Sequence, residues 1–183
     1  GGCAAGYGLV SEAVSGTPVS HVAEDQAQAA LIATIESLAA LHALPVTDCP
    51  FDRTLTTRFL GAQARVEAGL VDEDDFDDER AGWTAPQALA HARATAPTSE
   101  DLVLTHGDAS LPNFIWSPGH AVTLLDLGRF GLADRYQDLA IFLRSAKRNH
   151  PHIDAPALLR QHYPLAKVDE RACDFYRLLD EFF

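Results

Sequence analysis

The stretch that decides the fold runs Thr105-His106-Gly107-Asp108-Ala109-Ser110-Leu111-Pro112-Asn113-Phe114-Ile115-Trp116. The apolar, β-branched residues Leu102-Val103-Leu104-Thr105 lead straight into it and predict a buried strand ending at His106. Phe114-Ile115-Trp116 and Val122-Thr123-Leu124-Leu125 read as two more strands, joined by the turn Ser117-Pro118-Gly119-His120. A short hairpin results, with polar residues at its ends. His106, Asp108 and Asn113 precede the first strand, and Asp126-Leu127-Gly128 follows the second.

Helical patterns lie on both sides of this hairpin. Upstream, Leu31, Ile35, Leu38 and His42 recur at steps of three and four, acids occupy the first turns and Pro45 marks the stop, so a helix is predicted from Ser20 to about Leu44. A second pattern runs from about Arg53 to Leu70 and a third from Pro86 to Ala94. Downstream, helices are predicted from Asp134 through Leu143, from Ala155 to Tyr163 and from Asp169 to Phe183. Tyr7 to Ala13 reads as a short strand and Val14-Ser15-Gly16-Thr17-Pro18 as a turn or hinge. The fold class is therefore α+β, a mainly helical unit built around a short β-hairpin.

A length of 183 residues with 47% apolar and 22% charged residues fits one ordinary globular domain. Cys3, Cys49 and Cys173 are odd in number and far apart, so neither a zinc ribbon nor a disulfide framework is indicated, and a reducing compartment is expected. No run approaches 18 apolar residues and no basic region precedes an apolar one at the start, which disfavours a membrane span or secretory signal and points to the cytoplasm. The net charge of −12 makes nucleic acid a poor partner and suits a cationic small molecule. From Asp72 to Glu79, seven of eight residues are acidic, by composition a solvated loop or helix start. There is no methionine, even at position 1, so the chain is expected to be part of something longer. No pattern points to an oligomeric state.

Phosphoryl transfer needs one carboxylate to hold and partly deprotonate the attacking hydroxyl. It also needs an amide oxygen and a second carboxylate to hold the Mg²⁺ ions that bridge the nucleotide phosphates. The kinase pattern HxDxxxxN followed by DxG supplies these groups. Here His106, Asp108, Asn113, Asp126 and Gly128 meet every named position. Singly, Asp108 suits a turn, Asn113 a cap and Asp126 the approach to a glycine. Together, in two loops that each follow a predicted strand, they point to the chemistry. His106 is expected to brace the loop by hydrogen bonding. A metal-dependent hydrolase built on His106-x-Asp108 with His150-x-His152 is a weaker alternative, because paired histidines after a helix are more often solvated.

The segments THGDASLPNFIW (105–116), LLDLGRFGLADRYQDLA (124–140) and FYRLLDEFF (175–183) resemble the aminoglycoside 3′-phosphotransferases, the kanamycin and neomycin kinases. VEAGLVDEDDFDDE (66–79) is similar to the same family, and the likeness extends from about Tyr7 to Phe183. It implies a protein-kinase-like C-terminal lobe over residues 17–183, with residues 1–16 as the end of an N-lobe strand and the hinge. It also implies ATP and Mg²⁺ as cofactors, and transfer of the γ-phosphate to the 3′-hydroxyl of an aminoglycoside, which confers resistance. By this resemblance Asp108 is the catalytic base, and Asn113 and Asp126 bind Mg²⁺. Ser11, Glu12, Ala13 and Val14 form the hinge against adenine, and Arg129 lies near the transferred phosphate or the substrate. Asp138 anchors the catalytic loop from a helix. Asp75, Asp77, Asp78, Asp180, Glu181 and the terminal carboxylate of Phe183 surround the drug's ammonium groups, and Arg144 matches the family at its position. The acidic run then reads as a binding loop, since charge-assisted hydrogen bonds of about 1.5–3 kcal/mol each must converge to hold a polycation.

Two departures shape the expectation. The family commonly places acids where this chain has Ser145 and Arg148, so a weaker hold on a polycation or a different preferred drug is expected. A glycine-rich loop and a strand lysine belong upstream of the hinge, yet the first lysine here is Lys147, downstream of the catalytic set. The chain is thus expected to supply the substrate lobe without the nucleotide-clamping lobe, and to bind ATP poorly by itself. Two alternatives stay open: a catalytically weak lobe that holds a cationic ligand, and a related small-molecule kinase with another alcohol as acceptor.

Overall fold

The computed structural model describes residues 12–165 and 167–183. In chain order the elements are β1 (Thr17–Pro18), α1 (Glu24–His42), α2 (Leu55–Glu67), α3 (Ala85–Thr95), β2 (Leu102–Thr105), β3 (Phe114–Trp116), β4 (Thr123–Leu124), β5 (Gly131–Asp134), α4 (Tyr136–Asn149), α5 (Ala155–His162) and α6 (Glu170–Asp180). Several short 3₁₀ turns join them.

Local chemistry sets three of the six helix starts. Thr84 accepts from the Gln87 backbone while the Gln87 side chain reaches back to the Thr84 backbone, a capping box that opens α3 with Pro86 in its first turn. Asp154 accepts from the Ala157 amide at α5, and Asp169 from the Arg171 and Ala172 amides at α6. In α1 the buried positions Leu31, Ile35, Leu38 and His42 follow the three-and-four spacing expected of one helix face.

The strands depart from the reading in three ways. Thr17 and Pro18, expected in a turn, pair antiparallel with Trp116 and Ile115, so the hairpin of β3 and β4 gains a third strand. Leu102–Thr105 is a strand, but it alternates instead of being buried throughout, with Leu102 39% exposed and Thr105 enclosed. Its partner is β5, from Leu102 opposite Asp134 to Thr105 opposite Gly131. No strand was expected in Gly131-Leu132-Ala133-Asp134, because glycine and aspartate are poor strand formers. Backbone pairing and close approach decide it instead: a Cβ on Gly131 would lie 2.5 Å from the Phe51 carbonyl oxygen. Asp134 ends this strand, accepting from the Tyr136 and Asp101 amides, and the helix begins two residues later.

Two apolar clusters fill the interior. One joins α1, β3, α4 and α5 through Leu31, Ile35, Phe114, Phe142 and Leu159; the other joins α2, α3 and α6 through Ala62, Leu89, Tyr176, Leu179 and Phe182. α4 lies between them. Six consecutive residues from Gln137 to Phe142 are buried, as a helix surrounded on all sides requires. Among the described residues no helix is long and apolar enough to cross a membrane.

Phe142 is fully enclosed whereas Leu60 is 66% exposed. Phe142→Ala is expected to lower unfolding stability by about 3–5 kcal/mol, and Leu60→Ala to change it by less than about 0.5 kcal/mol, both read by urea denaturation.

Candidate active site

The loop between β2 and β3 is held from behind by one helix. Asp138, with no solvent exposure, accepts from the His106 amide at Oδ2 (2.7 Å) and from the Gly107 amide at Oδ1 (2.8 Å). Gly107 takes a positive φ of 86°, and a Cβ there would meet the Arg129 carbonyl oxygen at 2.1 Å. Only glycine permits both the turn and that approach. The buried His106 accepts the Asp108 amide at Nδ1 (3.3 Å), so its proton sits on Nε2, and its ring lies tilted against Phe114. At the far end of the loop, the Leu111 amide donates to the Ser145 hydroxyl on α4 (2.9 Å), and Asn149 donates to the same residue.

Asp108 and Asn113 meet directly. The Asn113 amide nitrogen donates to the Asp108 carboxylate (3.1 Å), to its backbone oxygen (3.0 Å) and to Ser110 (3.2 Å). This commitment leaves the Asn113 amide oxygen free of hydrogen bonds among the described residues. The Asn113 carbonyl accepts from the Leu125 amide (2.8 Å), which sets Asp126 one residue past the position opposite Asn113. Asp126 adopts the left-handed conformation (φ 54°, ψ 58°), uncommon for a residue with a side chain, and its exposed carboxylate caps no helix. An amide oxygen and a carboxylate, both uncommitted, are hard oxygen donors of the kind that suits Mg²⁺.

Asp108 opens on a cavity of about 600 Å³. Six carboxylates line it (Asp72, Asp75, Asp77, Asp108, Asp180 and Glu181) against four guanidinium groups (Arg65, Arg129, Arg144 and Arg148). Several of these charges already pair. Arg144 bridges Asp180 (2.7 Å) and Asp77 (3.4 Å), and those carboxylates outweigh burial and hold its pKa above the ordinary value. Arg129 donates to Asp180 (3.1 Å) and to the Phe183 backbone oxygen (2.8 Å). The Phe183 ring lies under the Arg58 guanidinium at 4.5 Å, and Arg65 donates to the Phe182 carbonyl, so two α2 arginines clamp the residues that follow α6. Burial pushes the Glu181 carboxyl up to about 7, against the Asp77 amide and Arg80 that favour its charged form.

The residues expected from the sequence divide accordingly. Asp75, Asp77, Asp180, Glu181 and Phe183 converge with Asp108 around one cavity. Asp78 is not brought to the cavity: it is exposed at the start of a 3₁₀ turn, between the buried Phe76 and Arg80. Arg129, expected near the transferred phosphate or the substrate, donates to Asp180 and to the Phe183 backbone oxygen on the acidic wall. Ser145 lines the cavity, but its hydroxyl is engaged by the loop between β2 and β3; Arg148 is exposed and forms no ion pair among the described residues. Glu12, Ala13 and Val14 are exposed and irregular, and Ser11 lies outside the described residues. The hydrolase alternative loses its histidines. His150, expected to be solvated, is buried and donates to the Val19 carbonyl (2.8 Å), while His152 pairs with Glu24. Asp72 and the Arg65 anchor were missed; the acidic run signalled the first only collectively, and nothing local signalled the second.

The sequence profile of the phosphotransferase enzyme family matches residues 3–179. The chain is 40% identical over 181 residues to an aminoglycoside 3′-phosphotransferase of Streptomyces fradiae, covering 96% of this chain and 68% of the relative. It is 39% identical to one of Escherichia coli, covering 96% and 65%. Among solved structures, an aminoglycoside-3′-phosphotransferase of type VIII matches with a TM-score of 0.87 and 38% identity, over 94% of this chain and 67% of that one. An aminoglycoside phosphotransferase from Streptomyces rimosus in complex with ADP and streptomycin matches with a TM-score of 0.80 and 28% identity, over 92% and 67%. The chain thus spans about two thirds of the length of these relatives.

Because Glu181 binds its proton more tightly folded (about 7) than unfolded (4.5), its contribution to stability falls as pH rises through that interval and levels off above it. Glu181→Gln keeps an oxygen for the Asp77 amide but cannot ionise. Between pH 5 and pH 8 the wild type is expected to lose stability relative to this variant, on the order of 3 kcal/mol, measured by chemical denaturation.

Proposed function

The chain belongs to the phosphotransferase enzyme family, and on that footing we propose that it moves the γ-phosphate of ATP to the 3′-hydroxyl of an aminoglycoside and so confers resistance to the drug. One observation supports this reading above the rest. Asp108, tied to Asn113, opens on a cavity where six carboxylates outnumber four arginines. A polycationic sugar fits that excess of negative charge.

An acceptor hydroxyl donates to the Asp108 carboxylate oxygen that Asn113 leaves free. As the new phosphorus–oxygen bond forms and the bond to the leaving ADP breaks, the hydroxyl proton passes to Asp108. Asn113 fixes the carboxylate for this task, and a well-placed group matters because small misplacements are costly in rate. The Asn113 amide oxygen and the Asp126 carboxylate would hold Mg²⁺. That ion, when bound, offsets charge on the transferring phosphates. Ser11 to Val14 are assigned to the adenine. Ammonium groups of the acceptor compete with Arg129 and Arg144 for Asp77 and Asp180. Glu181 accepts a further ammonium group once ionised.

A second reading, a different or less highly charged acceptor, is favoured by Arg148, whose guanidinium opens on the same cavity. Arg148→Glu is expected to lower KM for kanamycin by about two- to fivefold, the range of an exposed charge pair. No change would remove support for this second reading.

Asp108→Ala is expected to lower kcat by about 10²–10⁴-fold, the range of a general base, with the dissociation constant for kanamycin changed less than threefold by calorimetry. Retained turnover would overturn the role of Asp108. Binding without turnover in the wild type would favour a ligand-holding lobe.

A further inference from the structure

A single file of hydrogen bonds reaches the catalytic loop from behind, and its members come from four separate parts of the chain. His42, the last residue of α1, lies 96 residues before Asp138 and donates from Nε2 to its Oδ2 (2.9 Å). The other ring nitrogen of His42 meets the Tyr163 hydroxyl just after α5 (2.6 Å), and Arg135 donates to that hydroxyl (3.0 Å) and forms an ion pair with Asp101. His42, Asp138 and Tyr163 are all buried.

Donor counting fixes the end of the file that reaches Asp138. A guanidinium only donates, and an ionised carboxylate only accepts. The Tyr163 oxygen accepts from Arg135 in either protonation state of the ring: a neutral imidazole takes the Tyr163 proton at Nδ1, a cationic one donates to the same oxygen, and both keep a proton on Nε2 for Asp138. Burial pushes the Tyr163 phenol up to about 12, so it holds its own proton at neutral pH. The file ends on the two amides that precede Asp108, because the carboxylate that accepts from His42 also accepts from His106 and Gly107.

We propose that His42 and Tyr163 are positioning residues for Asp108: by fixing the rotation of the Asp138 carboxylate they fix the His106 and Gly107 amides, and with them the place of the base. Without the His42 donor, Oδ2 retains only the His106 amide and the carboxylate plane can turn. Gly107, pressed against the Arg129 carbonyl, cannot follow without shifting Asp108. The proposal rests on the phosphotransferase reading only in naming this loop catalytic.

Three variants separate positioning from simple support of the core. His42→Leu removes the donor, Tyr163→Phe removes the hydroxyl and keeps the ring, and His42→Gln keeps an N–H that can reach Asp138. Hydrogen exchange of the peptide spanning residues 105–113 should quicken at least tenfold in His42→Leu and Tyr163→Phe, stay near wild type in His42→Gln, and leave α6 unchanged. In turnover, the first two variants should lose at least tenfold in kcat with KM for both substrates within twofold of wild type, and His42→Gln should recover most of that loss. An increase in exchange spread over the whole chain, or an unchanged loop in Tyr163→Phe, would overturn the proposal. So would His42→Gln behaving like His42→Leu. Should His42→Leu fail to fold, Tyr163→Phe decides the matter, because its ring still fills the same space. Exchange is read without turnover, so a wild type that transfers no phosphate would refute the function and leave this test decisive.

Discussion

A carboxylate with no access to water needs hydrogen-bond donors from the protein, and Asp138 has three, drawn from two distant segments. The consequence spreads through the fold. α4 must run through the interior to deliver the side chain, α1 must end where His42 can reach it, and the loop after β2 must turn both amides inward. Glycine at position 107 follows from the same requirement, since the turn takes a positive φ against the Arg129 backbone. Removing one partner from such a group costs more than the bond itself contributes, because the buried charge is left underpaired.

The cavity in front of that loop has a different character. Its carboxylates are shared with arginines of the same chain, so Asp180 serves Arg129 and Arg144 at once, and Asp77 lies between Arg144 and Arg80. These pairs hold the wall in shape. Under the proposed function they also set the terms on which a cation enters, since each ammonium group would compete with a guanidinium already in place. Glu181 adds a group that changes charge near neutral pH, where burial and ion pairing oppose each other.

Legibility followed the range of the interactions. Asp108 and Asn113 are five residues apart and bonded to each other, so their relation could be read from spacing within one loop. The helices α3, α5 and α6 could be read because their caps are local. β5 could not, because its pairing uses backbone groups that say nothing of side-chain preference. His42 was legible as a position on the buried face of α1 and silent as to its partner on α4. Ser145, read as a substrate-facing departure, turned out to have its hydroxyl engaged by an amide 34 residues away. Within the acidic run, composition marked the segment but not the phase: Phe76 and Arg80 fold inward, and that choice sends Asp77 toward the cavity and Asp78 away from it.

From sequence alone came the candidate groups of the site in their order, the α+β class and the excess of negative charge, because spacing, periodicity and net charge are properties of neighbours or of sums. Tertiary structure decided which acids converge, which are neutralised by arginine, and what holds the loop around Asp108 in place. Those outcomes depend on contacts between residues tens of positions apart, whose geometry exists only after two apolar clusters have closed around α4.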